Sequence, residues 1–124
     1  MPRTIKKYAN RRLYDTHASR HVTLAGIRQL VVDGEDVVVL DDTTGRDITR
    51  SILLQVIAAQ EHSGPPILSA GTLRHIIRSY GNPRQEVMAQ HLESSVEAFL
   101  RQQRGIPEQG VAGAASAASP SGPR

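Results

Sequence analysis

The 124-residue chain contains no cysteine and no tryptophan. Without thiols it forms no disulfide, no thiolate metal site, no iron–sulfur cluster and no thiol nucleophile. Aromatic residues are almost as scarce: Tyr8, Tyr14, Tyr80 and Phe99. Any core is therefore aliphatic and thin. Long apolar runs are missing too. None exceeds four residues, as at Val37–Leu40, far short of the ~20 that cross a bilayer, so no transmembrane helix and no membrane partner are expected. Met1-Pro2-Arg3 leads into no apolar stretch, which argues against a secretory signal and for a cytoplasmic protein. The length suits one domain with a short appendage.

Positive charge is abundant but uneven. Residues 1–21 carry six Lys/Arg (Arg3, Lys6, Lys7, Arg11, Arg12, Arg20) against Asp15 alone. Residues 22–64 carry three against seven acids, so the net charge of +3 hides a basic head on an acidic body. That asymmetry points to an anionic partner.

Helix starts are written in local chemistry. Thr23 as N-cap places Val22 and Ile27 at the two positions of a hydrophobic staple. Thr49 offers the same device with Ile48 and Leu53, and Ser69 with Leu68 and Leu73. Asn82-Pro83-Arg84-Gln85 opens a further helix, with Asn as cap and Pro at the first helical position. Gly81 stops the helix before it, and the last helix runs to about Arg104. Asp36–Leu40 reads as a buried strand, and Thr4–Tyr8 and Arg11–Thr16 as short extended segments. The expected fold is α+β. It comprises a small β-β-α-β-α domain over residues 1–62, a two-helix hairpin over 65–105 after the Gly64-Pro65-Pro66 break, and a tail over 106–124. The tail is rich in Ala, Gly, Pro and Ser and is expected to be disordered.

The head is the most informative stretch. Over Thr4–Thr16 it interleaves Lys6, Lys7, Arg11 and Arg12 with Tyr8, Tyr14 and Asn10. Nucleic acid recruits these types: cations neutralise phosphates, Arg forks onto guanine, Asn pairs with adenine, and Tyr stacks or donates. A two-stranded ribbon also fits the major groove of DNA. With Arg20 these seven form the candidate DNA-binding set, its tip at Asn10–Arg12. The same chemistry suits an acidic protein, a membrane surface or a plain solvated hairpin.

Other motifs dissolve on inspection. Asp41–Asp47 looks like a calcium loop, yet no register provides acids at positions 1, 3 and 5 with Gly at 6 and Glu at 12. Asp15, His17 and His21 fall in an expected turn with no fourth ligand, so no metal is expected. No nucleophile elbow, phosphate loop or dinucleotide fingerprint occurs, so no enzyme activity and no cofactor are expected. Met88, Leu92, Ser95 and Phe99 recur at steps of four and three along the last helix. Such a stripe packs on the preceding helix or joins subunits into a homo-oligomer.

These residues carry a resemblance. Ile5–Asp15, Val22-Thr-Leu24, Thr44–Arg50 and Ile52–Ile57 resemble the polyhydroxyalkanoate synthesis repressor family across nearly all of residues 3–62. Leu73–Gly81 and His91–Phe99 resemble that family's following polymer-accumulation segment, although His21 and His91 stand where Tyr is usual and Val96 where Met is usual. The resemblance implies a cytoplasmic repressor whose N-terminal domain binds double-stranded DNA at promoters of granule-coat (phasin) and storage genes. Its C-terminal part would bind nascent polyester and so leave DNA, with Tyr80, Met88, Leu92 and Phe99 as the apolar contacts. A rival reading is a structural protein of storage granules that binds polymer through its C-terminal helices and binds no DNA.

Overall fold

A computed structural model describes residues 2–104, with the side chains of 103 and 104 left aside. The expected tail lies outside the described residues. The elements run β1 (Arg3–Lys7), β2 (Leu13–Asp15), β3 (Arg20–Val22), α1 (Leu24–Val32), β4 (Val37–Asp41), α2 (Thr49–Ser63), α3 (Ala70–Ser79) and α4 (Arg84–Arg104). The class is α+β as expected, with one correction. The N-terminal order is β-β-β-α-β-α, because the segment after Asp15 returns as β3. The turn into it contains no Gly or Pro; Ser19 instead takes the left-handed conformation at φ 55°, a position where Gly is the usual marker.

The sheet order is β3-β2-β1-β4, with β4 parallel to β1 and the other pairings antiparallel. Register sets the faces, since side chains alternate along a strand. Ile5 sits between Asp15 and Val39, Lys7 pairs with Leu13, and Leu13 with Val22. Ile5, Leu13, Val37 and Val39 bury this face against Ile27 of α1 and Ile52 and Val56 of α2. The core is wholly aliphatic, and each fully buried Ile contributes about 1.5–3 kcal/mol. Gly26 lets α1 lie close, because a Cβ there would stand 2.5 Å from Val22 Cγ2.

Thr23 caps α1 as expected, its Oγ1 accepting from Gly26 N at 3.1 Å. Thr49 does not cap α2. Its hydroxyl accepts from Val39 N at 2.9 Å, covering the free edge of β4, and donates to Asp47 Oδ1 at 2.6 Å. Asp47 takes the cap chemistry instead by accepting from Thr49 N at 2.9 Å, and these bonds hold its carboxyl below the usual range.

The chain divides into two units, the second beginning at Ala70. In the second, α3 ends at Ser79, and Gly81 follows with φ 79°. Asn82 opens α4 by accepting from Arg84 N at 2.8 Å, and Gln85 reaches back to Gly81 N at 2.8 Å.

Candidate nucleic-acid interface

The hairpin between β1 and β2 is closed by backbone bonds from Tyr8 N to Arg12 O (2.9 Å) and Arg11 N to Tyr8 O (2.8 Å). Asn10 Oδ1 accepts from Arg12 N at 3.0 Å. Adenine recognition by Asn uses both its carbonyl and its amide; here the carbonyl already holds the turn. Arg11 takes φ 69°, and both Arg11 and Arg12 are exposed at the tip.

Topology gathers more positive charge at this end of the sheet. β1, β3 and β4 all finish there, so α1 starts there and points the positive end of its dipole that way, whereas the chain after β4 turns back, with Asp47 beside Leu40, and starts α2 alongside Val39. Lys6, Lys7, Arg11, Arg12 and Arg46 fall at this end against Asp41, Asp42 and Asp47. Two of those acids are occupied with turns: Asp41 Oδ1 accepts from Thr43 N and Thr44 N at 2.8 and 3.1 Å, and Asp47 caps α2. The third, Asp42, pairs with Lys6 at 3.7 Å.

The opposite end is built differently. Arg3 Nη2 donates to Asp15 Oδ2 at 2.8 Å, and Asp15 Oδ1 accepts from His17 N at 3.0 Å and Ala18 N at 3.2 Å. Glu35 adds a second carboxylate 3.6 Å from Arg3. Arg3 therefore belongs to the fold, and its charge is not available to a partner. Asp15 is buried, and the Arg3 guanidinium, then the two backbone N–H groups, hold its carboxyl below the usual range. A carboxyl with a lowered folded pKa contributes stability in full above its unfolded value, near 3.9, and loses that contribution as pH falls further. Asp15→Ala should destabilise the chain by on the order of 3 kcal/mol at pH 7. Urea unfolding of both chains checks this: the gap should shrink at pH 2.5, and an unchanged gap contradicts the assignment.

The expected DNA-binding set is not on one surface. Lys6 and Tyr14 share the sheet face turned away from the helices, where Tyr8 lies 6.0 Å from Tyr14, centroid to centroid. Lys7 is on the helix side, in a cleft with Arg11, Leu24 and Gln55. Arg20 pairs with Asp15, also on the helix side and at the far end. Arg11 and Arg12 line a second cleft with His21, Thr23 and Leu24. The Asp15, His17 and His21 grouping does not form, because Asp15 and His21 project to opposite faces. His21 sits in β3 rather than in a turn. It lies edge-on beside Tyr14 on the uncovered face, a placement that three strand residues are too few to reveal by alternation.

In the second unit Met88 is half-buried beside Ser79. Tyr80, Leu92 and Phe99 remain exposed, as do Val87, Val96 and Leu100. α3 thus covers little of the stripe. Among the described residues no helix is long and apolar enough to cross a membrane.

Residues 4–64 match the PHB/PHA accumulation regulator DNA-binding domain, and residues 68–106 the PHB accumulation regulatory domain. An uncharacterised protein of Allochromatium vinosum is 51% identical over 104 residues, covering 84% of this chain and 68% of the relative. An "uncharacterized protein in phbA 5'region" of Thiocystis violacea is likewise 51% identical over 104 residues, covering 84% of this chain and 75% of the relative. No solved structure matches. With both domains matched in order over nearly all the described residues, the chain belongs to the PHB accumulation regulator family, its DNA-binding domain being the sheet-bearing unit.

Proposed function

We propose that the chain is a cytoplasmic transcriptional repressor of polyhydroxyalkanoate storage and granule-coat genes, acting by binding and not by catalysis. The observation that carries this reading is the gathering of Arg11 and Arg12 beside the start of α1, within the unit that matches the DNA-binding domain. Exposed guanidinium groups on a closed turn can reach phosphates, and the start of α1 adds to the attraction. The relative encoded in the phbA 5′ region supports a regulatory link to storage genes. In this reading the exposed stripe of α4 pairs two chains into a homo-oligomer, and the apolar surface with Tyr80 and Met88 meets nascent polyester, which draws the repressor off DNA.

A gel shift with the promoter fragment upstream of a granule-coat gene tests it. The chain should retard that fragment and release it when polyester granules are added. The same exposed stripe favours a second reading, a granule protein that binds no DNA. If the chain sediments with granules yet retards no promoter fragment, that second reading replaces the first.

A further inference from the structure

The head's alternating sequence is resolved by the sheet into two chemically different sides. On the helix side Arg3, Lys7 and Arg20 stand over or beside the core, with Arg3 tied to Asp15. On the other side Lys6, Tyr14 and His21 lie abreast across β1, β2 and β3. The His21 ring meets Tyr14 edge-on at 5.4 Å, and Tyr8 extends the row from the other side of Tyr14. None of the four is buried. The row therefore presents an ammonium, two phenols and an imidazole, all able to hydrogen-bond to base edges. Beyond Lys6 the chemistry changes, for β4 offers Val38 and Leu40 on this face.

Dimensions favour the three-stranded part. Strands about 4.8 Å apart set the axes of β1 and β3 roughly 10 Å from each other, so their side chains and not the whole sheet enter a groove. The major groove is about 12 Å wide and the minor groove about 6 Å. Neither helix offers a rival reading surface: α1 carries one cation, Arg28, and is followed at once by Asp33, Glu35 and Asp36, and α2 carries Arg50 alone among Lys and Arg, against Glu61.

We propose that duplex DNA lies against the uncovered face of β1–β2–β3, with Lys6, Tyr14 and His21 in its major groove and Arg11 and Arg12 on the flanking phosphates. This rests on the DNA-binding reading above and assigns its surface. His21 becomes a contact residue. Lys7 and Arg20, though basic and adjacent, stand behind the sheet. The exposed Lys6–Asp42 pair is weak enough to yield its ammonium to a base acceptor.

The test uses the full chain and a 20-base-pair duplex that the unaltered chain enriches from a randomised pool. Lys6→Ala and His21→Ala should each weaken that duplex tenfold or more, whereas Lys7→Ala and Arg20→Ala change it less than threefold. Tyr14→Phe, which keeps the ring and the fold, should weaken it at least threefold. Replacing purines by their 7-deaza forms, which removes a major-groove acceptor, should weaken the unaltered chain. Circular dichroism of each variant reports folding independently. Tenfold losses in Lys7→Ala and Arg20→Ala with Lys6→Ala and His21→Ala unaffected would place DNA on the helix side and overturn the assignment. Equal losses in all four overturn it as well, as does indifference to 7-deaza purines. If the unaltered chain enriches no duplex at all, the DNA-binding reading itself falls, and this proposal with it.

Discussion

Replacing Arg11 and Arg12 together by alanine should lower affinity for operator DNA by on the order of a thousandfold near 0.15 M salt. The two side chains stand exposed on the β1–β2 turn, and no ion pair is recorded for either among the described residues. In a two-fold pair the substitution removes four cations from the phosphates, each release of condensed counterions contributing roughly five- to tenfold at that salt. The fold should be untouched, because the turn is closed by backbone bonds and by Asn10, and neither arginine side chain takes part. Titration of labelled operator by fluorescence anisotropy measures the loss. A decrease below tenfold would mean that DNA meets a different part of the domain.

The second large effect concerns assembly. Leu92→Asp with Phe99→Asp places two carboxylates in the exposed stripe of α4. α4 is 21 residues long, roughly 30 Å of helix, and Val87, Leu92, Val96 and Phe99 are exposed along it. If two chains meet on this stripe, the variant buries unpaired charge and they separate. Operators read by two-fold repressors offer two half-sites, so a lone chain keeps half the contacts and loses orders of magnitude in affinity. Analytical ultracentrifugation should find a smaller species with unchanged circular dichroism, and operator binding should fall at least a hundredfold. An unchanged size contradicts the interface. Dissociation with undiminished binding contradicts the link between assembly and DNA.

What could be read from the residues alone was local. Thr23 and Asn82 cap their helices because a side chain and a backbone N–H three or fewer residues apart decide the matter. The strand at 37–41 was legible from its valines. β3 was not, since Arg20-His21-Val22 is short and the turn before it uses Ser19 in place of glycine. Thr49 looked like a cap because its alternative partner, Val39 N, lies ten residues away in the chain and beside it only in the fold. The candidate site shows the same limit. Lys6 and Lys7 are equivalent as composition, yet the register that pairs Ile5 with Asp15 and Val39 sends them to opposite sides of the sheet. Arg3 counts toward the basic head, but a buried carboxylate twelve residues away claims it. The family resemblance carried function further than spacing did, because it rests on a long motif and not on any one contact.

In the proposed function, duplex DNA is engaged electrostatically by the hairpin end of the sheet. The most direct measurement is the salt dependence of binding to the enriched duplex. If each chain of a two-fold pair places Lys6, Arg11 and Arg12 on DNA, log K should fall with log salt at a slope of about −5, and at about −2 for the Arg11→Ala, Arg12→Ala variant. A slope near zero, or one that the double substitution leaves unchanged, would contradict it.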